Sequence, residues 1–175
     1  MNKIFQKAKI DEFNLIKNFY WNLIDVMKDQ NEQIGWKKGI YPTDDFLKSS
    51  LQKGELFTLK TDNQLVACVI LNNSANEGYK GVPWSLECRE TEVLIPHALA
   101  VATRQQGQGI GKIVVEEILK YARTQEKKAV RLDILGTNTA AEKLYTKCGF
   151  EFVQAKQMFY EDTGWTEYKM YELNL

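Results

Sequence analysis

The sequence predicts an α+β (mixed α/β) domain, on three observations. Two short strand-like runs, Glu55 to Lys60 and Leu65 to Leu71, are joined by Thr61-Asp62-Asn63-Gln64, a tight connection suited to an antiparallel hairpin. Farther on, a strand-like run from Glu92 to Thr103, an amphipathic stretch and a second apolar run from Lys128 to Leu135 make a strand–helix–strand unit. The length of 175 residues, with 44% hydrophobic and 26% charged residues, suits one domain spanning 1–175 with enough apolar material for a core.

The elements follow in order. Lys3 to Ile10 reads as a short strand. Asp11 is placed to cap a helix from Glu12 to Asp29, whose apolar residues Phe13, Ile16, Tyr20, Leu23 and Met27 recur three and four apart. The segment 33–45 is irregular and aromatic; Trp36 and Tyr41 within it either cover a core or wall a pocket. Thr43 or Asp44 starts a second helix that ends near Gly54. After the hairpin comes a polar, glycine-bearing link over 72–91, long enough to suggest a functional or mobile segment. The strand Glu92 to Thr103 leads to a helix from Gly109 to Thr124, with Ile110, Val114, Ile118 and Tyr121 on one face. Beyond the strand Lys128 to Leu135, Thr139 and Glu142 have the spacing of a capping box that opens a helix to Cys148, where Gly149 stops it. Phe150 to Tyr160 and Trp165 to Leu173 close the chain as strands.

Charge and cysteine usage exclude several functions. Lys plus Arg and Asp plus Glu are 23 each, so no broad field draws the chain to nucleic acid or to an anionic membrane, and a polyanion must be held locally. Cys68, Cys88 and Cys148 form no CxxC or Cys/His pair, so no metal is expected and the thiols read as reduced, in a cytoplasmic protein. The start of the sequence has no long apolar run, which disfavours export and membrane insertion and leaves the triplet Asn72-Asn73-Ser74 without weight as a glycosylation signal.

The segment Leu99 to Lys112 carries the most chemistry. Gly107, Gly109 and Gly111 lie between an apolar strand and an amphipathic helix, where backbone N–H groups converge at the positive end of the helix dipole and suit a phosphate. A Walker A loop fails, because Gln106 stands at its first glycine and Ile113 at its hydroxyl position. A dinucleotide fingerprint fails at Lys112. What fits is Q/R-x-x-G-x-G/A, met by Gln106, Gly109 and Gly111, and there the chain resembles the GNAT superfamily of N-acetyltransferases. A second match follows: Asn138-x-x-Ala141-x-x-x-Tyr145-x-x-x-Gly149-Phe150 resembles that family's other cofactor motif at every fixed position. By periodicity alone Tyr145 is a core tyrosine; the two motifs together favour a site. The stretch His97 to Val101 is similar to arylalkylamine N-acetyltransferases, which carry two histidines two apart here. Only His97 matches, since Ile95 occupies the other position, and bacterial GNAT proteins of unassigned substrate are the safer comparison.

The resemblance implies a central, mostly antiparallel twisted sheet of six to seven strands with about four helices. It also implies acetyl-coenzyme A as cosubstrate and direct attack on its thioester by the primary amine of a small molecule or peptide. An alkylammonium of pKa near 10.4 is nucleophilic in only about one molecule in a few thousand at neutral pH, so a proton acceptor is needed. His97 is one candidate, balanced by the alternative of a hydrogen-bonded strand histidine; Glu87, Glu90 and Glu92 are others through water. The family assigns the oxyanion to a backbone N–H near Leu99, worth a few kcal/mol, and the pantetheine arm to the main chain at Leu99, Ala100 and Val101. Arg104, Gln105, Gln106, Gly107, Gln108, Gly109, Ile110, Gly111 and Lys112 would surround the pyrophosphate, with Lys112 alternatively a solvated helix residue. Asn138 and Ala141 would meet the cofactor arm, and Tyr145 would protonate the thiolate, uphill by roughly 2 kcal/mol. Transfer of another acyl group and a silent acyl-coenzyme A sensor are the alternatives. Trp36, Tyr41, Tyr79 and Trp84 line an acceptor pocket or merely pack. A homodimer stays open.

Overall fold

The computed structural model describes residues 2–29 and 35–175. Its strands are β1 (Lys3–Lys7), β2 (Leu56–Thr61), β3 (Gln64–Asn72), β4 (Val93–Val101), β5 (Ala129–Leu135), β6 (Glu151–Tyr160) and β7 (Gly164–Asn174). The helices are α1 (Phe13–Asp29), α2 (Asp44–Gln52), α3 (Ile110–Thr124) and α4 (Thr139–Lys147). The strands form one sheet in the order β1-β2-β3-β4-β5-β7-β6, with antiparallel neighbours throughout except β4 and β5. This is the mixed, mostly antiparallel α+β architecture expected. Residues 33 and 34 of the irregular aromatic segment lie outside the described residues.

Local chemistry accounts for most boundaries. Asp62 and Asn63 both take left-handed φ, +48° and +65°, which a two-residue hairpin between β2 and β3 requires and which Asp and Asn tolerate. Thr43 caps α2, its Oγ1 accepting from the Phe46 N–H at 3.0 Å. The Asp11 cap is not what forms. The chain enters α1 through a 3-10 turn over Ile10–Glu12, and the Glu12 carboxylate accepts from the Lys9 N–H at 2.8 Å while it pairs with Lys60. The capping box at Thr139 is also replaced. Asn138 sits one position earlier and takes the cap, its Oδ1 accepting from the Ala141 N–H at 3.0 Å. Glu142 is drawn instead to β7, accepting from Tyr171 at 2.9 Å and Lys169 at 2.7 Å.

Both faces of the sheet are covered, which is why β3 reads as a continuous apolar run rather than an alternating one. Ala67, Val69 and Leu71 meet α3 through Val114, Val115 and Ile118; Cys68 and Ile70 meet Ile16, Tyr20 and Leu23 of α1. The 72–91 link, expected to be functional or mobile, packs against β6 and β7. Tyr79 and Val82 are buried with Met158, Tyr168 and Met170. Arg131 of β5 fastens it, pairing with Glu172 at 2.9 Å, donating to the Leu86 carbonyl and lying over the Trp84 ring. The link reads as a loop in sequence because its stabilising partners come from distant strands.

The parallel pairing of β4 with β5 stops after two positions, Val93 with Ala129 and Leu94 with Val130. Beyond it Pro96 supplies no ladder donor, and Ala98 takes φ +50° at a bulge in the β3–β4 register. The buried Tyr20 hydroxyl donates to the Ala98 carbonyl at 2.7 Å and holds that distortion. Tyr20→Phe strands this acceptor and is expected to cost about 1–3 kcal/mol. Urea denaturation with an unchanged m-value measures it; a shift below about 0.5 kcal/mol would remove the bond from the account.

Candidate functional site

Where β4 and β5 part, a cavity of about 610 Å³ opens, walled by β4 residues 96–101 on one side and β5 residues 133–135 on the other. The glycine-rich turn closes one end. Gly107 and Gly109 have φ +74° and +79° and open space where a Cβ would stand, so glycine serves conformation there. Gly109 caps α3 without any side-chain bond, leaving the first N–H groups of a 15-residue helix unmet by a side-chain cap. Gly111 answers a different need: a Cβ would stand 3.1 Å from Leu144 of α4, so its absence lets the two helices close.

Most of the expected site residues come together. His97, Leu99, Ala100 and Val101 line the cavity from β4; Gln105, Gln106, Gly107, Gly109, Ile110, Gly111 and Lys112 from the turn; Asn138, Ala141 and Tyr145 from α4. Arg104 and Gln108 lie outside the lining, tied to each other by a bond from the Gln108 amide to the Arg104 carbonyl at 2.8 Å. Gln106 donates to the Val101 carbonyl at 3.3 Å, so part of its capacity serves the turn itself. Lys112 is well exposed, loosely paired with Glu116 at 3.7 Å, and still reaches the lining. Asn138 spends its oxygen on the α4 cap, and its amide nitrogen has no partner among the described residues.

Tyr145 is 6% exposed and stacks edge-on against Phe150 at 5.4 Å. The residue belongs to the cavity lining, and its hydroxyl has no hydrogen-bond partner among the described residues. Burial, aided by Cys148 and Asp133, pushes its pKa above that of an ordinary phenol, so it remains a proton donor at any working pH.

His97 has a definite tautomer. Asn72 donates through Nδ2 to the Glu55 carboxylate at 3.1 Å, which orients its Oδ1 to accept from the Ser74 N–H at 2.9 Å and from His97 Nε2 at 2.8 Å. Nε2 therefore carries the proton and Nδ1 keeps a lone pair. Burial lowers the imidazole pKa to about 4. The glutamates named as alternative bases fall away from the cavity. Glu92, at the far end of β4, pairs with Arg89 and Lys128, which hold it down to about 2, and neither Glu87 nor Glu90 reaches the lining.

Trp36 and Tyr41 wall the cavity, whereas Tyr79 and Trp84 pack behind the sheet. Sequence reasoning missed the acidic end of the lining, Asp133 and Asp162. Asp133 left a signal, because it interrupts the otherwise buried run Val130-Arg131-Leu132-Asp133-Ile134. Asp162, in the turn between β6 and β7, left none.

A family model described as the acetyltransferase (GNAT) family matches residues 21–150. The chain belongs to that family. An uncharacterized N-acetyltransferase of Bacillus subtilis (strain 168), YesJ, is 31% identical over 109 residues, covering 62% of this chain and 59% of the relative, so the match spans little more than half that protein's length. Among solved structures, a GNAT-family acetyltransferase from Streptococcus agalactiae 2603 superposes with a TM-score of 0.81 at 13% identity, over 99% of this chain and 95% of that one. The yncA structure from Salmonella typhimurium, determined with its cofactor acetyl-CoA, gives 0.72 at 14% identity, over 100% and 95%. These likenesses establish the GNAT fold; among the described residues no helix is long and apolar enough to cross a membrane.

His97 ties this site to stability. The unfolded imidazole titrates near 6.5 and the folded one near 4, so the unfolded chain binds more protons between those values. The resulting stabilisation, at most about 3 kcal/mol, is complete above pH ~6.5 and is lost as pH falls through about 4. Denaturation of wild type and His97→Gln across that window checks it: the gap between their slopes should close above pH ~6.5, and parallel curves throughout would contradict the buried neutral imidazole.

Proposed function

We propose that this chain, as a single catalytic domain in the cytoplasm, transfers the acetyl group of acetyl-coenzyme A to a primary amine of a small molecule or peptide, by direct attack in a ternary complex. The observation that carries the proposal is the largely buried Tyr145, whose hydroxyl has no hydrogen-bond partner among the described residues, set in one cavity with the N-terminus of α3 at one end and the bulged β4 edge along its side. The donor set fits the cosubstrate. The α3 N–H groups with Gln105, Gln106 and Lys112 would take the pyrophosphate, Asn138 and Ala141 the adjoining arm, and the β4 main chain at Leu99, Ala100 and Val101 the pantetheine amides. The three free cysteines fit a reducing compartment.

The amine lone pair attacks the thioester carbon, and the oxygen that gains charge needs a fixed donor, which the N–H at Leu99 beside the bulge would supply. As the carbon–sulfur bond breaks, Tyr145 hydrogen-bonds the departing sulfur. Its raised pKa makes complete proton transfer dearer than for a free phenol, so the bond to developing charge is its main service. The amine proton leaves through His97 Nδ1 and water. With the imidazole near 4 and a free alkylammonium near 10.4, direct transfer is uphill by roughly 9 kcal/mol, so His97 relays the proton and does not store it.

Tyr145→Phe should lower kcat by roughly tenfold to a hundredfold while acetyl-coenzyme A affinity stays within about twofold. Thiol release under saturating amine, beside calorimetric binding of acetyl-coenzyme A, reads the two separately. Collapse of affinity with kcat unchanged would give Tyr145 a structural role instead.

A further inference from the structure

The charges on the cavity lining are segregated. Its lysines, Lys112, Lys143 and Lys147, belong to α3 and α4, the end suited to phosphates. Its carboxylates, Asp133 and Asp162, lie at the other end, where Trp36, Tyr41, Tyr160 and Tyr168 supply the walls. Asp162 is 5% exposed, and neither carboxylate forms an ion pair among the described residues.

Asp133 is held for use. Tyr79 donates to its Oδ1 at 2.8 Å and Tyr160 donates across both oxygens at 3.1 and 3.0 Å, which fixes the carboxylate and leaves acceptor capacity on Oδ2. Asp133 lines the same cavity as Tyr145, whose hydroxyl has no hydrogen-bond partner among the described residues. Asp162 sits in the turn between β6 and β7, and the exposed Lys37 forms no ion pair with it. Tyr41 and Tyr168 line the same cavity as the two carboxylates. Ring pairs Trp36–Tyr41 at 6.0 Å and Tyr160–Tyr168 at 4.8 Å extend the wall. Two carboxylates without cations, Asp133 half-buried and Asp162 buried, bordered by aromatic faces, make an environment that favours positive charge and disfavours a carboxylate on the ligand.

Resting on the acetyl-transfer mechanism above, we propose that the acceptor is a dicationic amine, one nitrogen meeting Asp133 beside Tyr145 and the other held by Asp162 among the faces of Trp36, Tyr41 and Tyr168. The near nitrogen sheds its proton and is acetylated; the far nitrogen keeps its charge and sets specificity.

The test titrates the coenzyme A-loaded protein by calorimetry with α,ω-diamines of three to eight carbons, and with n-alkylamines and ω-amino alcohols of matching length. Thiol release from acetyl-coenzyme A is measured with the same panel. One diamine length is expected to bind at least about tenfold tighter than its monoamine and its amino alcohol, and to lead in kcat/KM. Asp162→Asn should bring that ratio close to one, with acetyl-coenzyme A binding retained as the control for folding. Equal affinity for all three ligand types at every length, or a ratio that survives Asp162→Asn, would overturn the proposal. If the variant fails to fold, the amino alcohols decide, because they remove only the second charge and need no mutation. Diamine binding without any acceptor-dependent thiol release would defeat acetyl transfer while leaving the dicationic site standing.

Discussion

The molecule turns on two parallel strands that pair at two positions and then separate. A sheet that stayed zipped to the ends of β4 and β5 would have no room at its centre. Separation exposes main-chain groups that a folded protein must satisfy or use. Pro96 removes one donor, the Ala98 bulge re-aims the strand, and the Tyr20 hydroxyl, brought by α1 from the opposite face, satisfies the carbonyl turned out of register. The core on that face thus stabilises the gap in which the cavity lies.

The helices then polarise the gap. The α3 N-terminus contributes partial positive charge from backbone alone, and the cavity's lysines lie on α3 and α4. The opposite end draws its negative charge from a strand residue and a hairpin turn, Asp133 and Asp162. A net charge of zero over the chain therefore conceals a strong internal gradient.

What could be seen in the sequence was what acts locally. Gly107 and Gly109 stand out because left-handed backbone before a helix favours glycine, and Asn138, Ala141 and Tyr145 recur with helical spacing. The seven strands and four helices were legible from period and caps, with the 72–91 link the exception because Arg131, Glu172 and Met158 reach it from far along the chain. The caps at Asp11 and Thr139 failed for a similar reason: Glu12 and Asn138 were competing side chains one position away, and tertiary partners drew Glu142 elsewhere. The width of the gap was hidden, since a left-handed alanine at position 98 has no sequence signature. His97 was visible as a residue, but its tautomer depends on Asn72 and Glu55, which only strand pairing brings near. The acidic end needed the fold altogether, apart from the polar interruption at Asp133.

The missing side chain at Gly111 has a mechanical consequence. Leu144 fills the space a Cβ would take, and the next residue along α4 is Tyr145. The first turn of α3 and the helix that carries the phenol are thereby packed closely against each other. A side chain larger than hydrogen at 111 would push Leu144, and with it the helix that carries Tyr145, away from the glycine-rich turn.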